Sequence, residues 1–125
     1  MSRRPVRTLL EDMLVRIGRI ERYVIGFDRA AFIHDEKTGD SVVRNLEVIG
    51  EAANRLPPEF RQHHAHIPWG RIIGLRHRIV HAYFDVDLEL VWEIVCNELP
   101  NLKVELRSLL ERLEDGLQGV PTPKE

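Results

Sequence analysis

The chain has 125 residues, which is the length of one domain and is enough to bury one hydrophobic core. Hydrophobic residues make up 43% of it and charged residues 30%, a composition that excludes a disordered chain. Its formal net charge of −2 argues against a protein that coats nucleic acid nonspecifically, so any nucleic-acid site must be local.

Periodic hydrophobic residues predict two helices in the first half of the chain. Spacings of three and four indicate a first helix from about residue 6 to residue 28. The polar stretch 31–39 predicts a loop. A second helix is expected from about residue 40 to residue 55, with Asp40 or Ser41 as its N-cap and Pro57 and Pro58 after its end.

Proline and glycine mark the third predicted helix. Residues 59–67 form a short polar connection with room for about one helical turn. Pro68 suits the first position of the following helix, because that position needs no backbone N–H. Gly70 and Gly74 lie inside this helix, and they predict the close approach of another backbone, from this chain or from a partner.

Aspartates mark the start of the fourth predicted helix. Asp85 and Asp87 are expected to cap it, and Pro100 should kink it. Residues 116–125 have no helical period and predict a flexible tail, so the domain spans residues 1–115. Four amphipathic helices with short links predict an all-α, antiparallel four-helix bundle. The long apolar faces of the first and fourth helices also favour a homodimer.

The cysteine content and the chain start indicate a cytoplasmic protein. Cys96 is the only cysteine, which excludes an internal disulfide, and its apolar helical setting predicts a buried, unreactive thiol. No apolar run approaches the roughly 20 residues of a membrane span. The basic start is followed by Glu11 and Asp12, where a secretion signal would need apolar residues, so no signal peptide is expected.

Residues 60–84 form a positively charged segment without a single aspartate or glutamate. Such a segment favours a phosphate-bearing ligand, although solvated helix surface is an equally good interpretation of charge alone. A metal site is not expected, because the three neighbouring histidines lack a fixed ligand face and a carboxylate partner. The segment holds Arg61, Arg71, Arg76 and Arg78 with His63, His64, His66, His77 and His81.

Arg76 and His81 are the groups that metal-free RNA cleavage needs. Histidine can take the proton of a ribose 2′-hydroxyl, and a guanidinium can stabilise the phosphorane oxygens. In an ideal helix the two residues are about 140° apart, so they converge more easily at a helix end and with a second copy of the chain. Taken alone the pair is common, and a surface arginine followed by a histidine that caps helix carbonyls is then the better interpretation.

The wider segment resembles the HEPN superfamily, whose signature is an arginine followed after four to six residues by a histidine. It is most similar to the HepT-like branch, where the signature extends to Arg-x4-His-x-Tyr. Arg76, His81 and Tyr83 match that signature without a gap. Further similarity lies in residues 43–53, 67–76 and 83–92, and the resemblance covers most of residues 9–110.

This resemblance implies a metal-independent endoribonuclease toxin of a system similar to type VII toxin–antitoxin systems. It implies an RNA substrate, no cofactor, and a homodimer whose cleft holds both copies of Arg76 and His81. It also implies a partner, a minimal nucleotidyltransferase antitoxin that transfers AMP to the signature tyrosine, here Tyr83. Without the family, Tyr83 would be interpreted as a packing residue with a surface hydroxyl.

Several residues around the signature keep more than one interpretation. Arg71, His77 and Arg78 are candidate contacts to RNA phosphate, or else solvated charges. Glu47 and Glu51 lie one helical turn apart and can hold Arg76 or pair with another helix. The main alternative function is a noncatalytic subunit that presents a substrate to a nucleotidyltransferase. A helical dimerisation module would leave the acid-free segment unexplained.

Overall fold

Helices account for most of the chain that the computed structural model describes, which is residues 5–81 and 85–119, the last five by backbone alone. This confirms the prediction of an all-helical protein. In these residues the β-type pairing is an isolated bridge between Val80 and Val86. In chain order the helices are α1 (Val6–Tyr23), α2 (Arg29–Ile33), α3 (Glu36–Arg55), α4 (Pro58–His63), α5 (Trp69–Ile73), α6 (Leu75–Ile79), α7 (Leu88–Asn97) and α8 (Leu99–Gly119).

None of the helices in the described ranges is long and apolar enough to cross a membrane.

The connection between α1 and α3 differs from the prediction. Helix α1 ends at Tyr23 because Gly26 turns the chain with a φ of 81°, and Asp28 then caps α2 by accepting from the Ala31 N–H at 2.8 Å. Asp35 caps α3 by accepting from the Thr38 N–H at 2.9 Å. The predicted loop over 31–39 and the predicted cap at residue 40 or 41 are therefore wrong, whereas the predicted end at residue 55 is confirmed.

The third predicted helix is two short helices. Helix α5 ends before Gly74, α6 begins after it, and α6 ends at Ile79 because Val80 is extended, with φ −110° and ψ 120°. The Asp87 N–H then donates to the Ile79 carbonyl at 2.8 Å. Asp87 also caps α7 by accepting from the Leu90 N–H at 3.0 Å, so it is the N-cap of α7 and Asp85 is not.

The fourth predicted helix is also divided, and Pro100 supplies the reason. Helix α7 ends at Asn97 and α8 begins at Leu99, directly before the proline. Proline has no N–H to donate to the preceding turn, so it interrupts the helix before it and is tolerated in the first turn of α8. Helix α8 continues to Gly119, so residues 116–119 of the predicted tail are helical, and residues 120–125 lie outside the described residues.

Helix α3 lies at the centre of the core. It packs against α1, α2, α5, α6 and α7, while α1 also packs against α8 and α2 against α7. Trp69 is buried, and its indole N–H donates to the His64 carbonyl at 3.0 Å. Trp92 is half-buried against Phe32, with ring centroids 5.1 Å apart. Residues with no exposed surface include Leu10, Met13, Ile17, Leu46, Ile49 and Leu106.

Cys96 is exposed on α7, so the prediction of a buried thiol is wrong. Partial desolvation of the sulfur, and then the Glu93 carboxylate, raise the pKa of this thiol above its usual range. A raised pKa keeps the sulfur protonated near neutral pH and therefore unreactive.

The close backbone approach occurs at Gly50 of α3, at the contact with the end of α5. A Cβ atom at Gly50 would lie 2.9 Å from the Ile72 carbonyl oxygen and 3.4 Å from that of Ile73. A Cβ atom at Gly70 would meet none of the described atoms within 4 Å, and at Gly74 it would meet the Gly70 carbonyl oxygen at 3.1 Å. Within one chain the predicted close approach is therefore present at Gly74, where the neighbour is the preceding turn, and absent at Gly70 among the described atoms, whereas the approach of two helices at Gly50 was not predicted.

This contact generates a stability prediction. Gly50→Ala should lower the free energy of unfolding by about 1–3 kcal/mol, because the added methyl forces α5 away from α3. Urea unfolding followed by circular dichroism measures the change. Gly70→Ala is the matched control, and it should leave stability unchanged or raise it by up to about 1 kcal/mol. Equal losses in the two variants would contradict the assigned contact.

Candidate active site

Arg76 projects from α6 towards α3. Leu75 and Ile79 are buried and fix the rotation of the short helix, so that Arg76 lies on its exposed side. The Arg76 Nε lies 3.3 Å from the Glu47 Oε2, which confirms one of the two interpretations of Glu47. The side chain of Arg76 remains 60% exposed, so a phosphate can reach the guanidinium.

His81 follows the end of α6 and faces the start of α7. Its backbone N–H donates to the Asp85 carbonyl at 2.8 Å, which closes the chain reversal after Val80. Its imidazole Nε2 lies 3.6 Å from the Asp87 Oδ2, a distance for an ion pair rather than a hydrogen bond. The side chain is 56% exposed and is therefore accessible from solvent.

A carboxylate of α3 thus lies beside Arg76, and the carboxylate that caps α7 lies beside His81. Helix α6 ends between them, so the separation calculated for an ideal helix does not apply. Tyr83 lies outside the described residues.

Arg71 and Arg78 contact Glu98, which lies between α7 and α8. Arg78 donates through both terminal nitrogens, at 3.0 and 2.7 Å, and only 20% of its side chain is exposed. Arg71 donates to the same carboxylate at 3.0 Å. The Arg78 hydrogen bond holds the pKa of Glu98 below its usual range, and that same bond raises the pKa of Arg78. In this arrangement both arginines tie α5 and α6 to the α7–α8 junction, while His77 is exposed.

The histidines of the acid-free segment also contact different groups of the protein. The His66 Nε2 lies 3.1 Å from the Glu105 Oε1 of α8, and the His63 Nδ1 contacts the Glu59 carbonyl at 2.9 Å. Desolvation, followed by repulsion from Arg112 and the neighbouring histidines, lowers the pKa of His64. The segment that is continuous in sequence is therefore not one positive surface in the folded chain.

A groove of about 390 Å³ lies beside Arg76, and it was not among the features predicted from the sequence. One stripe of α3 forms its wall, and Ile73 contributes from α5. The sequence does show polar residues that recur at helical spacing on α3. They indicate a groove only when the helix that faces them is known. The wall residues of α3 are Arg44, Glu47, Gly50, Glu51 and Asn54.

Comparison with known proteins identifies the family. The family model described as "Ribonuclease HepT-like" matches residues 13–109. The chain is 35% identical to a candidate RNase of Caldanaerobacter subterraneus subsp. tengcongensis, with 85% of this chain and 95% of that protein covered. It is 36% identical to a probable ribonuclease HepT of Thermococcus cleftensis, with coverages of 86% and 97%.

A third relative is longer than this chain. It is a protein of Methanocaldococcus jannaschii described as a gamma-glutamylcyclotransferase and candidate RNase, 38% identical over 90% of this chain. The chain spans 50% of that protein's length. No solved structure matches the chain.

The Glu98 cluster generates a prediction on pH dependence. Since the pKa of Glu98 is lower in the folded than in the unfolded protein, its stabilising contribution is fully present above the ordinary glutamate value of 4.5. That contribution is lost as the pH falls through the lower folded-state value. Glu98→Gln should reduce the free energy of unfolding by about 1 kcal/mol at neutral pH, and the deficit should shrink on acidification.

Urea unfolding between neutral pH and pH values below that of free glutamate measures this deficit. Glu11→Gln is the control, because Glu11 forms a half-exposed pair with Arg7 one turn away on α1. It should change stability by less than about 0.5 kcal/mol. A Glu98→Gln deficit that is the same at every pH would contradict the assigned ion pair.

Proposed function

This chain belongs to the HepT-like ribonuclease family, and from this premise we propose that it is a metal-independent endoribonuclease. The observation that carries the proposal is the solvent exposure of the signature pair, Arg76 and His81. Arg76 and His81 are both more than half exposed, and a carboxylate lies beside each of them. An exposed guanidinium and an exposed imidazole supply the cation and the base that RNA cleavage requires.

The proposed reaction needs no group beyond these side chains and the RNA itself. His81 takes the proton of a ribose 2′-hydroxyl, and the 2′-oxygen attacks the adjacent phosphorus. Arg76 stabilises the negative charge that develops on the non-bridging oxygens. The bond from phosphorus to the 5′-oxygen breaks, and that oxygen takes a proton from a general acid, which the protonated His81 of a second copy of the chain would supply. The products are a 2′,3′-cyclic phosphate and a 5′-hydroxyl end.

We also propose that the active form is a homodimer with both copies of the signature in one cleft. Each protomer would be an antiparallel four-helix bundle, in which α5 with α6 and α7 with α8 stand for the third and fourth helices. The chemistry favours two copies, because the leaving 5′-oxygen needs an acid on the side opposite to the base. A second His81 across the two-fold axis supplies that acid.

Control of this enzyme is proposed to act through Tyr83. A cognate nucleotidyltransferase antitoxin in the same cytoplasm would transfer AMP to its hydroxyl. Tyr83 lies two residues after His81 in the sequence, so the nucleotide would add a phosphate close to the catalytic pair. Each AMP adds about one negative charge, which opposes the binding of RNA phosphate.

Catalysis is tested with purified protein and cellular RNA in the presence of EDTA. Arg76→Ala and His81→Ala should each reduce cleavage by about 100-fold or more, because each removes a group that acts in the transition state. His63→Ala is the control, since His63 is an exposed histidine of the same acid-free segment on α4. Parent and control should produce 2′,3′-cyclic phosphate ends, and a 2′-deoxy nucleotide at the cleavage site should block the reaction.

Two results would contradict the ribonuclease proposal. One is a pure protein that cleaves no cellular RNA, and the other is full activity in both the Arg76 and His81 variants. Either result would favour the noncatalytic subunit of a nucleotidyltransferase.

Regulation is tested by intact-mass measurement after incubation with ATP, magnesium and the cognate nucleotidyltransferase. The parent should gain one AMP-sized mass per chain, and native mass spectrometry should give a dimer with two. Tyr83→Phe should gain none, because it lacks the acceptor oxygen, and should keep ribonuclease activity. Tyr23→Phe removes the other tyrosine of the chain and should behave as the parent. Equal gains on Tyr83→Phe and the parent, or no gain on the parent, would leave direct protein–protein blocking as the means of control.

A further inference from the structure

We propose that Asp87 is the positioning residue for His81, an inference that rests on the ribonuclease function proposed above. Its carboxylate orients the imidazole and stabilises the imidazolium that forms when His81 takes the 2′-hydroxyl proton. The starting observation is the 3.6 Å between the His81 Nε2 and the Asp87 Oδ2. The remaining support comes from how firmly each of the two residues is held.

Asp87 is fixed by two hydrogen bonds that do not involve His81. Its backbone N–H donates to the Ile79 carbonyl at 2.8 Å, and its Oδ1 accepts from the Leu90 N–H at 3.0 Å. The same carboxylate therefore caps α7 with one oxygen and faces His81 with the other. A side chain already ordered as a helix cap loses little further entropy when it orients a second group.

His81 is held on the opposite arm of the same chain reversal. Its backbone N–H donates to the Asp85 carbonyl at 2.8 Å, and the neighbouring Val80 pairs with Val86. These contacts bring the two arms together, so the imidazole and the carboxylate face each other across the connection. The Nε2 faces Asp87, which leaves Nδ1 as the nitrogen for the substrate proton.

The chemistry of a general base explains why such a carboxylate is useful. A neutral imidazole on an exposed loop samples several orientations, and only some of them direct a nitrogen at the 2′-hydroxyl. When the proton is transferred, the ring becomes positive and is stabilised by the nearby negative charge. Asp87 thus acts through His81 and has no direct contact with the reacting atoms.

Two kinds of substitution separate this role from helix capping. Asp87→Asn and Asp87→Ser keep a good N-cap but remove the charge, whereas Asp87→Glu keeps the charge on a side chain that caps poorly. We expect the first two to retain the parent Tm and KM for RNA and to lose at least about tenfold in kcat, a part of what general base catalysis contributes. Asp87→Glu should have a lower Tm but a higher kcat than Asp87→Asn.

The matched control is Asp35→Asn, the same substitution at the cap of α3, where Asp35 accepts from the Thr38 N–H. It should leave kcat unchanged. In the His81→Ala background, Asp87→Asn should cause no further loss, because the residue acts only through the imidazole.

The outcomes distinguish this inference from the proposed function. An active parent whose Asp87→Asn and Asp87→Ser variants keep full kcat would show that Asp87 is only a helix cap. A parent without ribonuclease activity would overturn the function and the catalytic role of Asp87 together. The contact between His81 and Asp87 is measured independently by NMR, as nuclear Overhauser effects between the His81 ring protons and the Asp87 β protons. Their absence from the parent would overturn the positioning role whatever the activity.

Discussion

The arrangement of the candidate site depends on one backbone contact, between Gly50 of α3 and the carbonyl groups at the end of α5. The absent side chain at Gly50 lets the Ile72 and Ile73 carbonyl oxygens lie directly against α3. The chain turns at Gly74, and α6 begins at once. Glu47 lies three residues before Gly50 on the same helix, so the contact that seats α5 also sets α3 beside Arg76.

The charge of the site is likewise determined by tertiary structure and not by composition. Residues 60–84 lack acidic side chains, yet carboxylates from other helices face several of their basic groups. Glu98 accepts hydrogen bonds from Arg71 and Arg78, and Glu105 lies beside His66. Arg78 is mostly shielded from solvent, whereas Arg76 and His81 stay accessible. Accessibility therefore separates Arg76 and His81 from Arg78, whereas Arg71, with 59% of its side chain exposed, is as accessible as Arg76.

The sequence predicted what local patterns determine and failed where a distant contact decides. Helical class, the end of α3, the cap at Asp87 and the interruption at Pro100 follow from periodicity, capping and the missing N–H of proline. The start of α3 was misplaced because its first turn, Glu36 to Gly39, is mostly polar, and periodicity carries no signal there. Gly39 is buried against Leu88 of α7, and Gly50 lies against the end of α5. Both contacts join segments that are distant in sequence, so no local pattern predicts them. For the site, the sequence identified Arg76, His81 and Glu47, but the arrangement of Asp87 opposite His81 required the structure.

The spacing of the signature has a physical meaning in this fold. An arginine and a histidine five positions apart do not share a face of a continuous helix. Here Arg76 lies in the first turn of α6, the helix ends three residues later, and Val80 is extended. A β-branched residue at Val80 suits this conformation, since it is favoured in strands and adds little to a helix end. Buried Leu75 and Ile79 fix the rotation of the helix before the chain leaves it. The four intervening residues therefore span a helix end and do not follow helical periodicity. The chain reversal after His81 then brings Asp87 back beside its imidazole.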